Sequence, residues 1–355
     1  MIPILHRYIA RSVILATLLV IGLVLALSYF INLLGELRDV GVGDYGVPQA
    51  ALHALLEVPR NLYHFFPMLV LLGGLMGLGI LAASQELVVM RISGMSVRNI
   101  FKSIAMASLV LILLGLFLGE LIGPRAHYLA DKHKLIAQSG GQAVATGAGV
   151  WLHEGNNFLH IDRVMPHHLE GVMRYEFDAN HKLLASYYVE SLDYQDGQWL
   201  LHDFVKTSFG KDHTTHEQKA ETTWDLTLNP TLLNVGVVEP EEMTLSKLNF
   251  YTHHLVSNGL QATEYQYNFW KRILQPLTIL IMLFLTVPFV FAAPRSVTMG
   301  WRMLMGVIVG FSFYILNSLL GQLSIVFQLP PFFAAFLPIV LLAGMGYILM
   351  LKITR

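Results

Sequence analysis

Charged residues vanish from long stretches of this chain, and the lengths of those stretches set its architecture. Ser12 to Gly35 runs for 24 residues without Asp, Glu, Lys or Arg, bounded by Arg11 and Glu36. At ~1.5 Å per residue a helix of that length reaches ~36 Å, enough to cross a hydrocarbon layer of roughly 30 Å with some tilt. Asn61 to Gln85 gives 25 such residues, Ser103 to Gly119 gives 17 with an extension to Gly123, and Ile273 to Pro294 gives 22. Met303 to Leu351 is 49 residues long, too long for one crossing. Gln328-Leu329-Pro330-Pro331 divides it, because two prolines remove backbone donors and force a turn. The pattern predicts six membrane-spanning helices. Arg7 and Arg11 give the first a basic start, but its apolar run exceeds the roughly 7–15 residues of a signal-peptide core, so it reads as a retained span.

Between the third and fourth spans the period changes from helical to alternating. Val150-Trp151-Leu152-His153, then Glu154-Gly155-Asn156-Asn157, then Phe158-Leu159-His160-Ile161 reads as a β-hairpin. Leu183 to Leu192, a turn at Asp196-Gly197, Trp199 to Val205, and Ala220 to Leu228 continue the strand series. The expected organisation is spans 1–3 in residues 1–123, an inserted all-β domain in 124–267, and spans 4–6 in 268–355. The two membrane halves show no convincing internal repeat.

Composition agrees with this class. Hydrophobic types make up 54% of the 355 residues and charged types 13%, against roughly a quarter charged in a soluble domain. There is no cysteine, which removes disulfides, thiol catalysis, and Cys-ligated zinc or iron–sulfur centres together. Positive charge sets the orientation. Arg7 and Arg11, then Arg91, Arg98 and Lys102, then Arg295 and Arg302, then Lys352 and Arg355 all fall on one side under six crossings. Residues 36–60 on the other side carry Arg38 and Arg60 against Glu36, Asp39, Asp44 and Glu57. Both termini are expected in the cytoplasm and the β domain outside it. Counted over 124–270, that block carries 10 basic and 18 acidic residues and 12 of the 15 histidines.

Several chemistries lack their residues. A chain that hydrolysed ATP would need Gly-x-x-x-x-Gly-Lys-Ser/Thr, and Gly210-Lys211 is followed by Asp212. His153-Glu154 leads into Gly-Asn-Asn instead of a His-Glu-x-x-His zinc helix. The pairs His167-His168, His213/His216 and His253-His254 read as surface or packing residues, since adjacent histidines on a strand face opposite ways and no third ligand is indicated. No metal is expected. The charge-free spans hold only mild polar groups, Asn317, Asn32 and His64, which argues against a self-powered pump.

One cytoplasmic segment invites a partner. Ser84-Gln85-Glu86-Leu87-Val88-Val89-Met90-Arg91-Ile92-Ser93-Gly94 has an N-cap candidate in Ser84, an acid at the positive helix end in Glu86, and a C-terminal cap candidate in Gly94. A short amphipathic helix there, over about 84–94, fits either a groove on a cytosolic protein or a simple interfacial loop. Gly73-x-x-x-Gly77 and Gly306-x-x-x-Gly310 are expected to pack helices closely within each half.

Glu86-Leu87-Val88-Val89-Met90 with Gly94, Gly155-Asn156-Asn157-Phe158, Gln275-Pro276-Leu277, and Arg295-Ser296-Val297-x-Met299-Gly300 together resemble the LptF/LptG family of lipopolysaccharide export permeases, the G type more than the F type. The resemblance runs essentially end to end and includes the three-span, β-domain, three-span layout. It implies an α-helical polytopic protein of the Gram-negative inner membrane with a periplasmic β-jellyroll-like insertion. Its implied partners are an F-type permease subunit, two copies of a separate ATPase subunit that binds the ATP, and a single-span periplasmic bridge protein of the C type. The cargo is lipopolysaccharide, with no nucleic acid and no cofactor bound by this chain. Glu86, with Met90 and Arg91, matches the coupling helix that meets the ATPase, and Arg295 matches an arginine of the second cytoplasmic loop.

Arg38, Arg60 and Lys134 match basic positions for the lipid's phosphorylated head group, whose anionic oxygens want such donors. The competing reading of these side chains is snorkelling or pairing with Glu36 or Asp39. The family often has a lysine where this chain has Asn32. Phe65, Phe311 and Tyr314 match the wall of the acyl-chain cavity, and spans 1 and 5 match the lateral gates toward the F-type subunit. Two other classes stand beside this one. A membrane-anchored periplasmic enzyme needs a nucleophile–base pair, which the spacing does not supply. An envelope scaffold would tolerate changes at Glu86.

Overall fold

A computed structural model of the chain describes residues 2–138, 150–154, 157–165, 168–178, 182–195, 198–210, 214–224, 240–257, 260–292 and 298–354. Six of its helices are long and apolar enough to cross a membrane. They belong to α1 (Ile2–Glu36), α2 (Val47–Ala83), α4 (Val97–Phe117) with its continuation, α7 (Thr263–Ala292), α8 (Met299–Phe327) and α9 (Pro331–Thr354). A short helix, α3 (Glu86–Ile92), joins α2 to α4. The α8–α9 break falls where expected: Gln328 ends α8 in the left-handed region at φ 52°, and Pro331 opens α9.

The helices outrun the charge-free stretches that predicted them. The third span passes from α4 through a π-helical turn (Leu118–Ile122) into α5 (Gly123–Gln138) without a break. Charged residues that flank the charge-free stretches therefore lie on the same helices. Glu57 and Arg60 lie in α2, Glu120 in the π turn, and Lys271 and Arg272 in α7. All five sit toward the end of the bundle that adjoins the β insertion, here the insertion rim. The opposite end, carrying α3 and both chain termini, is the terminal rim.

The core of the bundle is built around α2, whose Phe66, Leu71, Leu75 and Leu78 are fully enclosed. Between helices in lipid the gain comes from close van der Waals fit, so small residues mark the tightest contacts. A Cβ on Gly77 would lie 2.8 Å from Val13 Cα, and one on Gly73 would strike Thr17, which fixes α1 against α2. The second glycine pair differs from expectation. Gly306 and Gly310 of α8 face Leu75 and Met68 of α2, so this pair joins the two halves instead of tightening one. Beyond small residues α8 buries little: only Gly306, Gly310, Gly321 and Ser324 are enclosed, Met303, Val309 and Phe313 are partly covered, and much of its remaining apolar surface is open.

The inserted domain is all-β. Strands β1 (Val150–Glu154), β2 (Asn157–Met165), β3 (His168–Phe177), β4 (Leu183–Gln195), β5 (Gln198–Phe209) and β6 (Thr214–Trp224) form one antiparallel sheet in sequence order. The predicted first hairpin pairs His153 with Phe158. One face buries Leu159, Ile161, Val172, Val189, Trp199 and Leu201, the alternation that signalled strands. β3 is absent from the predicted series, and β6 begins six residues before Ala220, its exposed polar stretch 214–219 giving no apolar alternation. The predicted turns at Gly155-Asn156 and Asp196-Gly197 lie outside the described residues. α6 (Leu245–Ser257) follows a 3₁₀ turn (Pro240–Glu242) and is likewise unpredicted; it places His253-His254 on a helix, not a strand.

Candidate functional site

At the terminal rim the chain leaves α2, reverses through Gln85 in the left-handed region (φ 62°), and enters α3. Ser84 does not cap α3, as its sequence position suggests. It is the C-cap of α2, and its hydroxyl donates to Ile80 O at 3.1 Å and to Glu86 Oε1 at 2.9 Å. Gly94 does end α3 as expected, at φ +93°: its N–H donates to Arg91 O, and Met95 N–H reaches back to Met90 O, both at 3.0 Å. Leu87 and Met90 face inward and are buried in the bundle core. Val88, Val89, Arg91 and Ile92 face outward, Ile92 with 82% of its surface open. Met90 is thus an anchor of the helix and not part of its outward face. Glu86 opens the first turn, half-buried, and accepts from Tyr8 of α1 at 2.8 Å. The Arg91 guanidinium lies 5.7 Å from the Phe291 ring centre, tying α3 to the end of α7. Arg295 lies outside the described residues.

The insertion rim is a mesh of ion pairs. Lys134 Nζ of α5 meets Glu36 at 2.8 Å and Asp39 at 2.7 Å, and Tyr45 also donates to Glu36 at 2.8 Å. Arg60 pairs with Glu57 at 3.5 Å and with Glu242. His127 Nδ1 lies 2.5 Å from Glu57, and its Nε2 meets Asp131 at 3.3 Å and Glu242. Pairing therefore accounts for two of the three expected head-group cations, Arg60 and Lys134, while Arg38 is exposed. The Asn32 amide nitrogen is enclosed with no hydrogen-bond partner.

A second knot, unforeseen in the sequence, sits behind the first. Arg272 is 93% enclosed by side-chain surface, with only 7% exposed. It donates to Gly119 O and to Glu120 Oε1, both at 2.8 Å, and to Glu241 O at 3.2 Å. Its guanidinium also covers the Tyr63 ring at 5.1 Å. The π turn makes this possible, because i→i+5 bonding changes which carbonyls of the third span remain free. The other oxygen of Glu120 accepts from Leu245 N–H at 3.0 Å and so caps α6 from 125 residues away. Burial raises the carboxyl of Glu241, but Lys271 and His64 outweigh it and hold the group below its ordinary range.

Next to this knot a cavity of about 420 Å³ opens between α2, α7, α8 and α9. His64, Glu241, Lys271 and Arg272 line one part, and Phe65, Met68, Phe313 and Tyr314 another. Phe65 and Tyr314 touch, with ring centres 5.3 Å apart. Phe311 does not line the cavity; it projects from the open face of α8 with 53% of its surface exposed.

Residues 7–352 match the family described as lipopolysaccharide export system permease LptF/LptG. The chain belongs to the LptF/LptG family. Over 339 residues, 94% of each chain, it is 34% identical to the lipopolysaccharide export system permease protein LptG of Escherichia coli (strain K12). Over 341 residues, 95% of each, it is 32% identical to the protein of the same name from Haemophilus influenzae. As a member of the LptF/LptG family the chain is a multi-pass inner-membrane permease of lipopolysaccharide export, a transporter component. In this LptF/LptG permease Glu86, Arg91 and the outward face of α3 come together at one rim, Arg38, Arg60 and Lys134 share the other, and Phe65 and Tyr314 join in the cavity. Sequence reasoning missed Arg272 and Glu120, whose partners are 152 residues apart and invisible to any local spacing.

Proposed function

We propose that this chain is the non-hydrolytic G-type half of a lipopolysaccharide extractor, driven through α3 by a separate ATPase. Each assembly contains one F-type permease and two ATPase copies, and the β domain passes cargo to a single-span periplasmic bridge protein of the C type. In this reading the terminal rim is cytoplasmic and the insertion rim periplasmic. The observation that carries it is the form of α3. Leu87 and Met90 root the helix in the core, so force on its outward face reaches α2 and α4 instead of bending a loop. A driver must favour one of two arrangements of the bundle, and Glu86, bonded to Tyr8 of α1, is where that preference enters.

Lipid enters from the membrane past the open apolar faces of α1 and α8, the two helices that meet the F-type subunit. Arg38 offers the exposed cation for a head-group phosphate, and Arg60 and Lys134 exchange their carboxylates for it when cargo arrives. Phe65 and Tyr314 line a cavity sized for part of an acyl chain, and Phe311 receives the chain at the entrance. ATP stays on the partner.

Purification of the full chain from its native membrane tests this. A stoichiometric P-loop ATPase and an F-type permease should accompany it. The reconstituted assembly should then release lipopolysaccharide to a soluble acceptor only with ATP. Isolation of the chain alone, with lipid release indifferent to ATP, would refute the reading.

A further inference from the structure

We propose that His53, Glu57 and Asp131 bind a divalent transition-metal ion of the zinc class, which pins α2 to α5 at the insertion rim. His53 and Glu57 stand one helical turn apart on α2, as His127 and Asp131 do on α5, so two i, i+4 pairs face each other across the contact. One donor atom from each of His53, Glu57 and Asp131 lies within 4.8 Å of the others. Tetrahedral bonds of ~2.0–2.2 Å place donors ~3.4 Å apart, so the set must close by up to about 1.4 Å. Asp131, with 48% of its side chain exposed, has the freedom to do so.

The independent sign of a missing ligand is His53 itself. Only 8% of its side chain is exposed, and neither ring nitrogen makes a hydrogen bond; the nearest acids are Glu36 at 3.4 Å and Asp131 at 3.6 Å. An enclosed imidazole held only by ion pairs at these distances, with no hydrogen bond, is poorly satisfied, and a metal ion is a partner that an imidazole flanked by carboxylates accepts. Charge points the same way. Among the described ion pairs, Glu36, Asp39, Glu57, Asp131 and Glu242 gather here around two permanent cations, Arg60 and Lys134, and two imidazoles. An imidazole donor selects zinc-class ions over calcium or magnesium, which take oxygen shells. His127, 2.5 Å from Glu57, holds that carboxylate from behind, the role an outer partner plays at such sites.

The test uses the full chain in nanodiscs, free of any affinity tag, and measures no transport, so its outcome is independent of the export reading. Equilibrium dialysis against zinc should find one ion per chain, and His53→Gln and Asp131→Asn should each weaken binding at least about 10-fold. No zinc on the wild-type chain overturns the site. Equal affinity in both variants also overturns it, placing the ion on exposed histidines such as His253 and His254. Should a variant not fold, X-ray absorption of the zinc-loaded wild type decides. One imidazole with oxygen ligands supports the site, and two or more imidazoles, or none, reject it.

Discussion

The two rims of this bundle treat charge in opposite ways. At the insertion rim Glu36, Glu57, Arg60, His127 and Lys134 hold one another across α1, α2 and α5, and Arg272 is locked between Gly119, Glu120 and Glu241. At the terminal rim Glu86 touches two hydroxyls, those of Tyr8 and Ser84, and meets no cation among the described ion pairs. A carboxylate bonded only by hydroxyls accepts an incoming donor without giving up a charged partner, whereas a meshed one must first loosen an ion pair. One rim is closed on itself, and the other keeps an acceptor open and, in the proposed reading, is the one gripped. The same polar residue types do both jobs, and what separates them is how many neighbours arrive from distant parts of the chain.

The largest effect should come from the gripped side. Glu86→Ala is expected to reduce ATP-driven lipid release about 10- to 100-fold, the size of a lost charge-assisted contact, while the ATPase still co-purifies. Normal release would mean that the two rims do not differ in this way. On the holding side, Arg272→Met strands the Glu120 carboxylate and is expected to destabilise the protein by about 3–5 kcal/mol, read as a lowered unfolding midpoint in detergent. Lys134→Met leaves Glu36 and Asp39 without their cation and should cost ~1–3 kcal/mol in the same assay. Arg38→Gln should change stability by less than about 0.5 kcal/mol yet weaken lipid crosslinking, which would separate cargo contacts from scaffold contacts at one rim.

The smallest effect lies in the β domain. There His168 and His202 donate to Asp193 at 2.6 and 3.0 Å and hold its carboxyl below the ordinary range, His168 most strongly. Because the folded value is depressed, this stabilisation is present above the ordinary carboxylate value and is lost as pH falls through the folded one. Fluorescence of the buried Trp199 should report an acid-side drop in stability that Asp193→Asn flattens.

Much of this was legible in the sequence because it is local. The Pro330-Pro331 break, the glycine that ends α3 and the first hairpin each follow from a few adjacent residues. The helix ends were not, since a charge-free run marks only the lipid-facing part, and Glu57, Glu120 and Arg272 extend their helices by pairing with residues the eye cannot bring together. Ser84 misled for a related reason. A serine before an acid signals a cap, but the left-handed Gln85 takes the N-cap place itself, and the serine hydroxyl turns onto Glu86. That Met90 turns inward was not legible either, because the sequence does not say which side of a seven-residue helix faces home.

The π turn at Leu118–Ile122 makes the third span two helices out of phase by one residue. Each residue of α-helix advances about 100° around the axis, so that single extra position sets the azimuth of everything beyond it. Deleting one residue there would leave the membrane-embedded half untouched while swinging His127, Asp131 and Lys134 away from α2. The alignment between the two parts of the third span, α4 and α5, is thus carried as an angular offset, written in a count of residues.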